Sequence, residues 1–207
     1  MTYHGSETAS GSLACPFDSN LRHRMFTLRK IVVTLLKLVG ISRQQDTVGF
    51  DKSPAGKMAE LRRQALSSSP EKLGLIPTQE FPRVYGVFIE FPIAEVMVTI
   101  VSFCDGTASL YTTSSFGVIG GGSHDAVAAA AVRLVAAADP FFDEASPTTS
   151  YPYPAKGKVR FYFASFEGLR MVEADFAAVE ADQSPYSKLF WVGQEVMAQL
   201  RLIVQGR

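Results

Sequence analysis

Glu95 to Ser115 read EVMVTIVSFCDGTASLYTTSS, two apolar runs joined by Asp105-Gly106. The first run is β-branched and nearly continuous, the pattern of a strand in the middle of a sheet. An Asp-Gly pair between such runs suits a two-residue type I′ hairpin, in which both central residues take positive φ. TASLYTTSS is therefore a strand antiparallel to the one before it.

The same reading extends in both directions. Upstream, VYGVFIEF (84–91) alternates, with Tyr85, Val87, Ile89 and Phe91 expected on one face. Downstream, VRFYFASF and LRMVEAD flank Glu167-Gly168 and predict a second hairpin. Between the hairpins, FGVIGGGSHDAVAAAAVRLVAAAD (116–139) predicts a helix from Ser123 to Ala138, capped by Ser123 and stopped at Asp139-Pro140. Ser184-Pro185 predicts the start of a last helix, with Leu189, Val192, Val196, Leu200 and Ile203 on one face and Phe190, Trp191 and Met197 beside it. A short helix is expected over 57–66, and the proline-punctuated stretch to Pro82 reads as irregular. The fold class is α+β: an antiparallel sheet of about five strands with packed helices, in the order α-β-β-β-α-β-β-α.

In that order of elements, over about residues 57–207 and with its acidic body, the chain resembles the class I type III secretion chaperones and related small α/β chaperone-like domains. Roadblock-like and longin-like domains are similar but divide their strands as two then three. The resemblance implies non-enzymatic binding, often with dimerisation. It carries no motif, so no residue role follows from it.

Charge divides the chain. Residues 1–67 hold ten Lys/Arg against five Asp/Glu, and residues 68–207 hold ten against fifteen. An acidic body argues against a nucleic-acid partner, which needs a positive face. Residues 1–20 have the Ser/Thr/Gly composition of a disordered tail. Residues 21–43, LRHRMFTLRKIVVTLLKLVGISR, predict a basic amphipathic helix. Leu28, Ile31, Leu35 and Leu38 share an apolar arc, and Arg22, Arg29, Lys30 and Lys37 lie opposite. Residues 44–56 read as a linker. The helix suits an anionic membrane surface or a partner, and equally a groove of its own domain or of a second subunit. Its apolar run is shorter than the ~18 residues of a spanning helix. Were translation to start at Met25, the run would read instead as a signal or anchor. Cys15 and Cys104 have no metal-ligand spacing and fit a reducing compartment. The expected location is the cytoplasm, with peripheral membrane contact.

Two places invite a chemical reading. Gly120, Gly121, Gly122, Ser123 and His124 precede a helix, where free N–H groups can cradle an anion. Neither GxxxxGK[ST] nor GxGxxG is present, and Asp125 already occupies the positive end of the helix dipole. A corner between strand and close-packed helix explains the glycines better, with His124 an exposed first-turn residue. Cys104 beside Asp105 lacks the cations that activate a thiol and reads as a half-buried strand cysteine. The carboxylate pairs Asp143-Glu144 and Glu173-Asp175 read as solvated surface. Arg160 and Tyr162, pointing away from Phe161 and Phe163, read as an exposed interface face. No catalytic residue, metal site or cofactor is expected. The expectation is a non-catalytic, chaperone-like or adaptor domain that binds a protein partner and forms a homodimer, with Arg29, Lys30, Leu35, Lys37, Arg160 and Tyr162 as interaction residues. The alternative is a small-molecule or nucleotide-binding protein, or an enzyme, using the Gly120–His124 corner.

Overall fold

Ser53 opens the part of the chain that the computed structural model describes, residues 53–205. The 1–20 tail, the 21–43 segment with Arg29, Lys30, Leu35 and Lys37, and the linker up to residue 52 lie outside the described residues. Helix α1 spans Pro54–Leu66, starting ahead of the expected Lys57. The Ser53 side chain accepts from the Gly56 N–H at 3.0 Å, and proline fits the first turn because it has no N–H to satisfy. A single further turn, α2 (Pro70–Leu73), breaks the expected irregular stretch; Ser69 caps it and left-handed Gly74 ends it.

The fold is α+β with an antiparallel sheet. Its main strands are β1 (Val84–Ile93), β2 (Val96–Phe103), β3 (Ala108–Thr112), β6 (Lys158–Ser165) and β7 (Gly168–Asp175). Two edge pairings of two residues each, β4 (Gly117–Val118) and β5 (Ser146–Pro147), extend it to the order β4-β3-β2-β1-β6-β7-β5. They are too short to carry a period, so alternation could not show them. Helix α3 (Asp125–Ala136) follows β4, the chain returns to place β6 against β1, and α4 (Phe176–Glu180) and α5 (Ser187–Gln205) follow the second hairpin.

Both faces of the sheet are covered. On one, Val87, Ile89, Phe91, Val98, Ile100, Phe161 and Phe163 join a core with Val127, Ala131 and Leu134 of α3 and Leu189, Val196 and Leu200 of α5. On the other, Tyr85, Phe88, Val101, Phe103, Tyr111 and Tyr162 pack with Leu66, while Met58 and Leu61 of α1 press on them. Tyr85 therefore departs from the face expected for it. The register of β1 against β6 shifts between Val84 and Gly86, and such an irregularity turns the alternation over.

The first hairpin also differs in its turn. Asp105 is not at positive φ; Gly106 is, at 85°. The Gly106 N–H donates to the Phe103 carbonyl at 3.1 Å, and the Phe103 N–H to Thr107 at 2.9 Å. That is a type I turn closed by a left-handed glycine, a longer loop than type I′. Asp105 contributes through its side chain, which accepts from the Thr107 N–H at 2.8 Å. In the second hairpin Ser165 pairs with Gly168, so Phe166-Glu167 form the turn, one residue earlier than expected. Helix α5 starts at Ser187; Ser184 instead organises the turn before it, accepting from the Tyr186 N–H at 3.3 Å.

Candidate functional site

The glycine corner is built by close packing. Gly120 takes φ 73° and starts a single 3-10 turn, Gly121–Ser123. A β-carbon on Gly121 would stand 2.3 Å from Cδ2 of Leu200, and one on Gly122 would stand 2.9 Å from the Gly106 carbonyl oxygen. The turn thus wedges α5 and the β2–β3 loop against the start of α3. Ser123 lies inside the 3-10 turn and does not cap α3, whose first residue is Asp125. His124 takes the cap position with its backbone: its carbonyl accepts from Val127 and Ala128 at 2.9 Å each. The Ser123 and His124 side chains are exposed.

These contacts predict a contrast between neighbours. Gly122→Ala must push backbone against backbone and should cost about 1–3 kcal/mol. His124→Ala should change stability by less than about 0.5 kcal/mol. Denaturant unfolding of both variants, with nucleotide titration of His124→Ala, checks this. A large loss of nucleotide affinity on removing His124 would restore the anion-site reading.

Arg160 and Tyr162 do point away from Phe161 and Phe163, but they are not exposed. Tyr162 is 0% and Arg160 7% accessible. The reason is that the second face of the sheet is covered by α1 and by residues 151–155. Tyr162 donates to the Pro152 carbonyl at 2.8 Å, Arg160 reaches the same carbonyl, and its other amino nitrogen pairs with Glu173. Beside them lies an ion pair that sequence reasoning missed. Glu90, fully buried, receives Nε of Arg62 at 2.5 Å, Nη2 at 2.8 Å and the Thr99 hydroxyl at 2.8 Å. Arg62 also donates to the Tyr151 carbonyl at 2.9 Å, and its guanidinium lies 4.0 Å from the centre of the Tyr153 ring. Burial pulls the Arg62 pKa down, but the Glu90 carboxylate more than reverses this and leaves it raised. The signal was a lone glutamate inside the apolar run VFIEF. Together these groups clamp α1 and the 151–155 strap to the sheet.

The loop carboxylates are likewise engaged. Asp143 pairs with Arg83 at 2.9 Å, and Glu144 accepts from the Tyr186 hydroxyl at 2.8 Å. Asp175 caps α4 through the Ala178 N–H. Among the described residues no group of three or more His, Cys, Asp or Glu could hold a metal ion, and no helix is long and apolar enough to cross a membrane.

Cys104 is half-buried, and its thiol pKa is pushed up by burial and then by Asp105, so it is held protonated. It lines a shallow hollow of about 490 Å³ with Leu75, Ile76, Glu80, Phe81 and Asp105. Phe81 is buried, whereas Ile76 is 73% exposed. The hollow joins apolar side chains to two carboxylates and includes no basic residue in its lining. Compared with protein families, with curated proteins and with solved structures, the chain finds no match in any of the three.

Proposed function

We propose that this chain is a non-catalytic interaction domain whose basic segment, residues 21–43, makes contact with a partner or an anionic membrane surface. The observation that carries the reading is how the body uses its cations. Arg62, Arg63, Arg83, Arg133, Lys158 and Arg160 are each paired with a carboxylate of the body itself. The exposed lysines of the body, Lys57, Lys72, Lys156 and Lys188, stand singly along residues 53–205, where sixteen Asp/Glu outnumber twelve Lys/Arg. From Leu21 to Gln45 the chain has six Lys/Arg and no acidic residue, so an uncompensated cationic run lies there. The candidate chemical groups point the same way. The glycines fill a packing corner, the Cys104 thiol is held protonated, and Arg62, Glu90, Arg160 and Tyr162 are engaged in holding α1 and the 151–155 strap to the sheet.

The arc containing Leu35 supplies apolar contact, and Arg29, Lys30 and Lys37 supply attraction of on the order of 1 kcal/mol per residue near an anionic surface, screened by salt. The full chain should pellet with phosphatidylserine-containing vesicles at low salt and be released as salt rises. Leu35→Asp should abolish pelleting while leaving the unfolding transition of the body in place. If the wild-type chain ignores anionic vesicles, the membrane reading fails.

A further inference from the structure

The hollow beside the first hairpin matches the chain's own basic segment in both chemistry and reach. We infer that residues 21–43 dock reversibly into the hollow formed by Leu75, Ile76, Phe81 and Cys104, with Glu80 and Asp105 receiving lysine or arginine side chains. This rests on the proposed contact role of that segment and adds what holds it when no outside surface is present.

Three observations support it. Ile76 stands largely exposed at the mouth while Phe81 forms a buried floor, so an apolar side chain entering there would lose water from both sides of the contact. The polar lining consists of Thr78, Gln79, Glu80 and Asp105, and the cations nearest in sequence lie outside it: Lys72 on α2, and Arg83, which is paired with Asp139 and Asp143. A segment with Leu and Ile on one arc, and with Lys and Arg on the opposite side whose long stems can bend back past it, complements that surface in both respects. The tether also suffices. Residues 44–52 can extend about 30 Å. Helix α1 spans about 20 Å. Just past its end the Ser68 carbonyl accepts from the Tyr85 hydroxyl at 2.8 Å, and the Tyr85 carbonyl accepts from the Cys104 N–H at 2.9 Å, so the hollow lies near that end of the helix. A partner from another molecule would have to find the hollow at its bulk concentration, whereas the tethered segment is held near it at a high effective concentration.

Zero-length carbodiimide cross-linking of the full chain tests this, because it joins an ammonium to a carboxylate only when the two touch. Mass spectrometry of the monomeric species should find Lys30 or Lys37 joined to Glu80 or Asp105 at low salt. The yield should fall severalfold in Ile76→Lys, which puts a like charge at the mouth on a side chain that contributes little to the core. Excess phosphatidylserine vesicles should suppress the same links by competing for the segment. Absence of these links, or their appearance only in a dimeric species, overturns the docking. Pelleting that persists without links removes the docking and leaves the contact role. Links that persist in a chain that ignores vesicles leave the docking and remove the membrane contact.

Discussion

Glu90→Ala should lower the unfolding free energy by about 3–5 kcal/mol, among the largest effects of any single substitution in the described residues. The carboxylate is wholly buried and takes two bonds from Arg62 and one from Thr99. Removing it leaves a guanidinium, with side-chain accessibility of 8%, next to a void and without its counter-ion. Arg62 keeps only the Tyr151 carbonyl and the Tyr153 ring, which do not neutralise it. The damage should spread to the strap as well as to α1, because Arg62 ties both to the sheet. Urea unfolding would give the magnitude. Proteolysis near residues 151–155 would show whether the strap has loosened. The double variant Arg62→Met with Glu90→Leu should recover most of the loss, since two apolar side chains need no solvation. A single variant that loses less than about 1 kcal/mol would mean that water already reaches the pair.

Leu200→Ala should cost about 2–5 kcal/mol. Leu200 is fully buried in the core between the sheet and α5, and its Cδ2 fills the space that Gly121 leaves by having no side chain. The substitution therefore opens a cavity at the glycine corner. Gly121→Ala alone should destabilise by overpacking, for its new methyl group would meet that same Cδ2 atom. In combination the two changes should partly cancel, with a coupling of about 0.5–3 kcal/mol in calorimetric or denaturant measurements. Strict additivity would show that the corner has relaxed away from α5 and that Gly121 is not kept small by packing.

The glycine corner also shows how far sequence could reach. That GGG permits a tight approach was legible, and so was the lack of a phosphate motif. Which neighbours approach was not, because Leu200 and Gly106 are distant in the chain and meet only through the tertiary fold. Arg160 and Tyr162 show the complementary limit. Alternation correctly put them opposite Phe161 and Phe163, but period 2 states only that two faces exist. It does not say whether the second face meets water or another layer. Here α1 and the 151–155 strap form that layer, and a residue read as interface became an internal clamp. The hollow was invisible for the same reason: residues 74–81 have no period, and Cys104-Asp105 reach them only when β2 is in place.

Local chemistry by itself determined the α+β class, the five main strands, both hairpins and the apolar side of the last helix. Each depends on patterns of a few residues, namely alternation, helical spacing, caps and turn glycines, whose energies act over one or two turns of chain. Tertiary structure alone decided the short edge strands, the turned-over start of β1, and the pairing of Arg62 with Glu90. Each of these depends on which segment arrives from far along the chain. A buried charge is tolerated only where its partner is brought to it, and no window of local sequence contains both Arg62 and Glu90.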